Sequence, residues 1–219
     1  MGQNVLSTRQ HFVLDLASKE RQVTDWFYFT GGTALAEFYL HHRVSEDLDF
    51  FSDFEIHHEV VDSFLDKVVS LKNANYEKKT ISGHAIAMMH FPGGENLKVD
   101  FVYQPYKPLE KGKTYNDLRI ASLWDMAVDK LYTIFNRAKA RDFVDLYFAI
   151  KKIDCDFDQL LSALEEKYRA SFDKVSLYSR LPIVKDVSDY PTMLVPFDKK
   201  EMEEYYLKLA KSLEGEIFA

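Results

Sequence analysis

The sequence predicts an α+β protein whose strands lie in its first half and whose second half is helical. Three observations carry this expectation. Four short segments between residues 47 and 103 have strand character, one of them alternating carboxylates with apolar residues. Segments with apolar residues at helical spacing precede and interleave them. After Pro105 and Pro108 the composition turns to helix for most of the remaining chain. With 219 residues and 17 Phe, 13 Tyr and 2 Trp, the chain can build a sizeable core in one unit of two lobes. The Pro-bearing stretch from residue 105 to 118 is the expected division, giving a core with an N-terminal helix over 1–110 and a mainly helical lobe over 111–219.

Val5 to Gln22 places Val5, Phe12, Val13 and Leu16 at helical spacing. The aromatic run Trp26 to Phe29 reads as extended chain leading into Gly31-Gly32, and Thr33 to His42 reads as helix with Thr30 or Thr33 as its cap. Asp47 to Phe51 is a strand that sends Asp47, Asp49 and Phe51 to one face and Leu48 and Phe50 to the other. Glu55 to Leu71 returns to helix. Strands follow at Tyr76 to Ile81, His84 to Phe91 and Leu97 to Tyr103, separated by turns at Ser82-Gly83 and Pro92-Gly93-Gly94. Helices are expected over Ser122 to Ile150, Asp158 to Ala170 and Lys199 to Leu213, with an ordered crossing loop from Leu181 to Pro196.

The net charge is −7, which does not advertise duplex binding across a broad basic face, so any nucleic-acid contact is expected to be local. Residues 98 to 141 depart from this, with nine Lys/Arg against five Asp/Glu, and are the segment suited to an anionic ligand. The single cysteine, Cys155, provides neither an intrachain disulfide nor a thiolate metal cluster, and fits a reducing compartment. Met1 to Glu20 has no apolar signal-peptide core, and no run approaches about 18 consecutive apolar residues, so a soluble cytoplasmic protein without membrane contact is expected. The pairs His41-His42 and His57-His58 are read as surface residues, because neighbours on a helix point about 100° apart and do not share one ion.

The chemistry is concentrated in Gly31-Gly32-Thr33, Asp47-Leu48-Asp49, and Asp100 within Lys98-Val99-Asp100-Phe101-Val102. Two carboxylates at i and i+2 on a strand, with a third on a neighbouring strand, repel one another unless cations neutralise them. Oxygen-only ligands favour Mg²⁺ or Mn²⁺. A Gly-Gly turn at a helix N-terminus offers backbone N–H groups and the positive end of the helix dipole to a polyphosphate. Metals facing such a turn imply phosphoryl or nucleotidyl transfer.

The run Gly31-Gly32-Thr33-Ala34-Leu35-Ala36, with His42-Arg43-Val44-Ser45-Glu46-Asp47-Leu48-Asp49-Phe50-Phe51, resembles the AbiEii/AbiGii toxin-like nucleotidyltransferases of the DNA polymerase β-type superfamily. Lys130 and the segment Arg137 to Leu146 resemble that branch's C-terminal signature. The resemblance spans about residues 26 to 150; nothing in 151 to 219 contributes to it. It implies a small mixed β-sheet flanked by helices, a following helical lobe, and a nucleotide between them. It further implies that Asp47, Asp49 and Asp100 hold Mg²⁺ or Mn²⁺ and carry catalysis, with Asp142 as a further functional residue. Gly31, Gly32 and Thr33 would cradle the β and γ phosphates of an NTP, and Lys130 would neutralise charge on the triphosphate.

If Ser122 to Ile150 were one continuous helix, Lys130, Arg137 and Arg141 would fall within about 40° of one another and form a cationic stripe, with Arg141 joining Lys130 at the nucleotide. Otherwise Arg137, Lys139 and Arg141 form a solvated turn between two helices, with Asp142 or Asp145 in the first turn of the second. The resemblance implies metal-dependent, pyrophosphate-releasing transfer of NMP from ATP, GTP or another NTP to a macromolecular acceptor, with a tRNA or other RNA end foremost, by the toxin component of a toxin–antitoxin or phage-defence system with an antitoxin protein as partner. Transfer to a protein hydroxyl or to a small molecule such as an aminoglycoside is the alternative, and a non-catalytic nucleotide-binding module acting through a partner is the third reading.

Overall fold

The structure, a computed structural model, describes residues 4–217. It divides into two units, one ending at Ser122 and one beginning at Leu123. In the first, α1 (Thr8–Ala17) opens with a reciprocal cap in which Ser7 Oγ accepts from Gln10 N and Gln10 Oε1 accepts from Ser7 N, 2.9 Å apart. A short α2 (Arg21–Thr24), strand β1 (Tyr28–Thr30) and helix α3 (Gly31–Leu35) follow. The next five residues, Ala36–Leu40, widen to π-helical turns and stop at His41, whose left-handed backbone (φ 51°) ends the helix. His42 behind it is fully buried, against the surface position expected for it.

Strand β2 (Leu48–Ser52) leads to α4 (His58–Lys72), and β3 (Asn75–Ile81), β4 (His84–His90) and β5 (Asn96–Tyr103) form an antiparallel meander. The hairpin β6 (Thr114–Tyr115) and β7 (Leu118–Ile120) completes a seven-stranded mixed sheet in the order β3-β4-β5-β2-β1-β7-β6. β2 runs parallel to β5 and antiparallel to β1, and β7 runs parallel to β1. The expected division at residue 110 therefore falls twelve residues early: the segment after Pro108 adds two strands to the sheet before the helices begin. Asn116, with φ 49°, makes the turn of this hairpin, and its short strands carry too few residues to announce themselves by alternation.

One face of the sheet is an aromatic core. Phe50 of β2 and Phe101 of β5 stack with centroids 5.3 Å apart, Phe27 meets Phe101 at 5.1 Å, and Phe64 of α4 lies edge-on to Phe101. All four are buried. Because side chains alternate along a strand, burying Phe50 and Phe101 sends Asp49 and Asp100 to the opposite face.

The second unit is helical. The expected helix from Ser122 to Ile150 is two, α5 (Leu123–Asn136) and α6 (Ala140–Ile153), broken at residues 137–139. The continuous cationic stripe of Lys130, Arg137 and Arg141 is therefore absent. Asp189 supplies the cap that starts α6, its carboxylate accepting from Ala140 N at 2.9 Å. There follow α7 (Phe157–Tyr168), α8 (Lys174–Arg180), a 3₁₀ turn over Leu181–Lys185 inside the segment expected to be loop, and α9 (Lys199–Ile217). Tyr206 of α9 is fully buried, lies edge-on to Phe143 and donates to the Phe143 carbonyl at 2.8 Å. Among the described residues no helix is long and apolar enough to cross a membrane.

Phe101→Ala should lower the stability of the protein to urea by about 3–5 kcal/mol, since it empties the middle of the aromatic layer. A loss below about 1 kcal/mol would show that this ring does not tie β5 to β2 and α4.

Candidate active site

The front of the sheet gathers the expected carboxylates. In the parallel pairing of β2 with β5, Asp49 lies opposite Asp100, and in the antiparallel pairing with β1, Asp49 lies opposite Thr30. Asp47, two residues before Asp49 and just ahead of β2, is 30% exposed at its side chain. The Asp100 side chain is 14% exposed, and its Oδ1 is buried without a hydrogen-bond partner. A buried carboxylate oxygen left in that state is costly unless something else binds it.

Gly31 sits directly over this cluster. Its φ of 77° lies in the left-handed region, and a Cβ built there would overlap the Asp49 carboxylate. Glycine is therefore required both by the backbone turn and by the close approach of Asp49, which brings the N-terminus of α3 against that carboxylate. Gly32 follows as the second residue of the same helix.

Thr33, next in α3, is turned inward to the segment ahead of β2. Only 1% exposed, it has its Oγ1 2.8 Å from Ser45 Oγ and hydrogen-bonds the Asp47 carbonyl. A hydroxyl has one proton and a carbonyl can only accept, so Thr33 donates to Asp47 O and the Ser45 hydroxyl supplies the proton between the two side chains. The pair clamps the segment Ser45 to Asp47 onto α3. Gln10 reinforces the clamp from α1, its Nε2 donating to Ser45 O at 2.9 Å.

The residue that sequence reading missed is Lys98. It stands two positions before Asp100 on β5 and so shares its face. Its ammonium pairs with the Asp100 carboxylate and lies 3.8 Å from Asp47 Oδ2. Burial alone would pull the Lys98 pKa down; Asp100, Asp47 and Asp49 reverse this and hold it above the usual lysine value. The signal was in the text of the strand, a lysine at i−2 to a carboxylate in Lys98-Val99-Asp100. Among the described residues no three acidic or imidazole groups converge on one point as a closed metal site. The orphaned Asp100 oxygen, the all-carboxylate donor set and the overhanging Gly31 nonetheless fit a divalent cation.

In the helical unit, Lys130 of α5 reaches Asp142 at 2.9 Å and Asp145 at 2.7 Å, both on α6 and both fully buried. Arg137, in the break between the helices, adds a contact of 3.1 Å to Asp142. Burial would raise the Asp142 pKa, but Lys130 and Arg137 outweigh it and hold the carboxyl below the usual range. Arg141 is half-buried in the first turn of α6. The structure thus brings together Lys130, Asp142 and Arg137, and adds Asp145, which sequence reading had given only a place in the first turn of the helix.

The family model for the AbiEii toxin, a nucleotidyltransferase of type IV toxin–antitoxin systems, matches residues 15–216. The chain belongs to this family. It is therefore a nucleotidyltransferase, and the match extends through residues 151–216, beyond the segment in which a resemblance was legible. An uncharacterised protein of Aquifex aeolicus is 31% identical over 193 residues, which cover 82% of this chain and 87% of that protein. Among solved structures, JHP933 from Helicobacter pylori superposes with a TM-score of 0.60 at 22% identity, covering 96% of this chain and 94% of that one. MenT4, a nucleotidyltransferase toxin from Mycobacterium tuberculosis, superposes with a TM-score of 0.54 at 17% identity, covering 95% and 90%. These two structures share their fold with nearly the whole chain.

Two measurements check this geometry. Gly31→Ala should cost about 1–3 kcal/mol in thermal unfolding, because the strained φ and the overlap with Asp49 act together; an unchanged melting temperature would mean that the turn does not press on the carboxylate. For Asp142, the folded-state pKa lies below the ordinary 3.8, so its contribution to stability is present above that pH and is lost as pH falls through the lower folded value. Asp142→Asn should accordingly be less stable than wild type in urea at neutral pH, with the gap closing below about pH 4; a gap constant down to about pH 2 would contradict the ion pairs with Lys130 and Arg137.

Proposed function

We propose that this protein transfers NMP from an NTP to a macromolecular acceptor, an RNA end such as that of tRNA foremost, and acts as the toxin of a toxin–antitoxin pair. The observation that carries the reading is the gathering of Asp47, Asp49 and Asp100 on one sheet face under the Gly31 turn, in a chain of the AbiEii family. Asp47, Asp49 and Asp100 would hold Mg²⁺ or Mn²⁺, which supplies charge neutralisation for the triphosphate and acidity for the attacking hydroxyl.

The chain's own groups do the rest. The backbone N–H groups at Gly31 and Gly32 hold the β and γ phosphates at the positive end of α3. Thr33 and Ser45 fix Asp47 in place instead of contacting phosphate. The acceptor oxygen attacks the α-phosphorus in line, the bond to the β-phosphate oxygen breaks, pyrophosphate leaves, and Asp100 takes the acceptor's proton. The family resemblance assigns Lys130 and Arg141 to the nucleotide and Asp142 to function. In this reading Asp142 and Asp145 act on Lys130 by holding its ammonium in one place.

The family's membership in type IV systems supports an antitoxin protein as partner. The overall charge of −7 favours, as second reading, a cationic small-molecule acceptor such as an aminoglycoside.

The test is transfer of α-labelled NMP from each of the four NTPs with Mg²⁺, with total RNA, cell protein and a small-molecule pool as separate acceptors. Label entering RNA with wild type, and reduced on the order of 10²–10³-fold in the isosteric Asp49→Asn, is expected. Label confined to protein or small molecules would replace the acceptor class. Equal labelling by Asp49→Asn would overturn the site.

A further inference from the structure

The position of Lys98 implies more than a neighbouring charge. Its ammonium lies between two of the three carboxylates that would receive a cation, paired with Asp100 and 3.8 Å from Asp47. On the other side of β5, the residue opposite Lys98 is Met88 of β4, and the residue opposite Asp100 is Ile86. Neither carries a charge, so β4 gives the ammonium no competing anion in register, and the cluster itself is where Lys98 is held. The side chain is 33% exposed and sits on a strand paired on both sides, so the backbone is fixed while the four-carbon stem can swing.

A divalent cation cannot share this place with the ammonium. Mg²⁺ binds oxygens at about 2.0–2.1 Å, so two carboxylates on one ion must approach more closely than they can with an ammonium inserted between them. Two cations at that distance would also repel strongly in a half-buried site. We propose that Lys98 is the resident cation of the carboxylate cluster: in the metal-free protein it holds Asp47 and Asp100 together, and a divalent ion enters only by displacing it. The inference rests on the reading of Asp47, Asp49 and Asp100 as metal ligands.

Two consequences follow. Without its metal the protein is spared the repulsion of three adjacent carboxylates, so β2 and β5 stay paired in the middle of the sheet. Metal affinity is lowered by the work of expelling the ammonium, so the site fills only at a higher cation concentration than its three carboxylates would otherwise require. Once expelled, Lys98 is released toward solvent on the face where the triphosphate would lie.

The experiment compares Mn²⁺ binding, by paramagnetic resonance of the free ion, in wild type, Lys98→Met and Asp49→Asn, alongside the metal-free melting temperature of each. Lys98→Met keeps the length of the side chain and removes only the charge. It should melt lower than wild type without metal and bind Mn²⁺ about tenfold or more tightly. Equal or weaker Mn²⁺ binding by Lys98→Met, with wild type binding and Asp49→Asn not, would overturn the proposal while leaving the metal reading intact. Absence of Mn²⁺ binding from all three proteins would overturn both. A second measurement uses the wild type alone, in case Lys98→Met fails to fold: amine acetylation followed by mass spectrometry should modify Lys98 several-fold faster when Mg²⁺ is added, while lysines paired outside the cluster, such as Lys67 with Glu20, are unchanged. An unaltered Lys98 rate at saturating Mg²⁺ would overturn the displacement.

Discussion

The structure of the first unit depends on keeping like charges side by side. Asp49 and Asp100 lie opposite each other on parallel neighbours, where cross-strand carboxylates are unfavourable, and Asp47 joins them on the same face. Three features offset that repulsion. The aromatic layer of Phe27, Phe50, Phe64 and Phe101 on the other face locks the register of β2 against β5. A slip of one residue would put the carboxylates into that layer, so hydrophobic burial on one face fixes the chemistry on the other. The Thr33–Ser45 clamp then holds the chain just ahead of β2, and the Lys98 ammonium supplies local positive charge.

The helical unit solves a related problem differently. Asp142 and Asp145 are fully buried on α6, and two buried carboxylates within one turn of helix need compensation. Lys130 contacts both and Arg137 contacts one, using the break between α5 and α6 to bring Arg137 within reach. Lys167, buried on α7, does the same for Asp125 at 3.0 Å and Asp129 at 2.6 Å on α5. Each of these lysines thus ties one helix to another through charge, and removing it would leave buried anions without a partner.

Most elements of the sheet were legible in the sequence because their patterns are local. The strands of the β3–β5 meander match within a residue or two, since their alternation is bounded by Ser82-Gly83 and Pro92-Gly93-Gly94. The hairpin of β6 and β7 was missed because its two strands together span five residues, and its reason for existing is a parallel pairing with β1 some ninety residues earlier in the chain. The break between α5 and α6 was left open in the sequence, since Arg137 to Ala140 has no proline or glycine; capping by Asp189, distant in sequence, starts the second helix.

By itself, the sequence determined the chemistry available to this protein: the two-residue spacing of Asp47 and Asp49, the glycine pair ahead of a helix and the signature around Lys130 and Asp142 are local and name the family. The tertiary structure decided how those groups are used. It turned the Thr33 hydroxyl inward to the Ser45–Asp47 segment, placed Lys98 among the carboxylates and joined Lys130 to Asp145 as well as Asp142. Each of these depends on strand register or helix packing between segments far apart in the chain. Periodicity assigns a side chain to a face, but only the neighbouring element settles which charge it meets there.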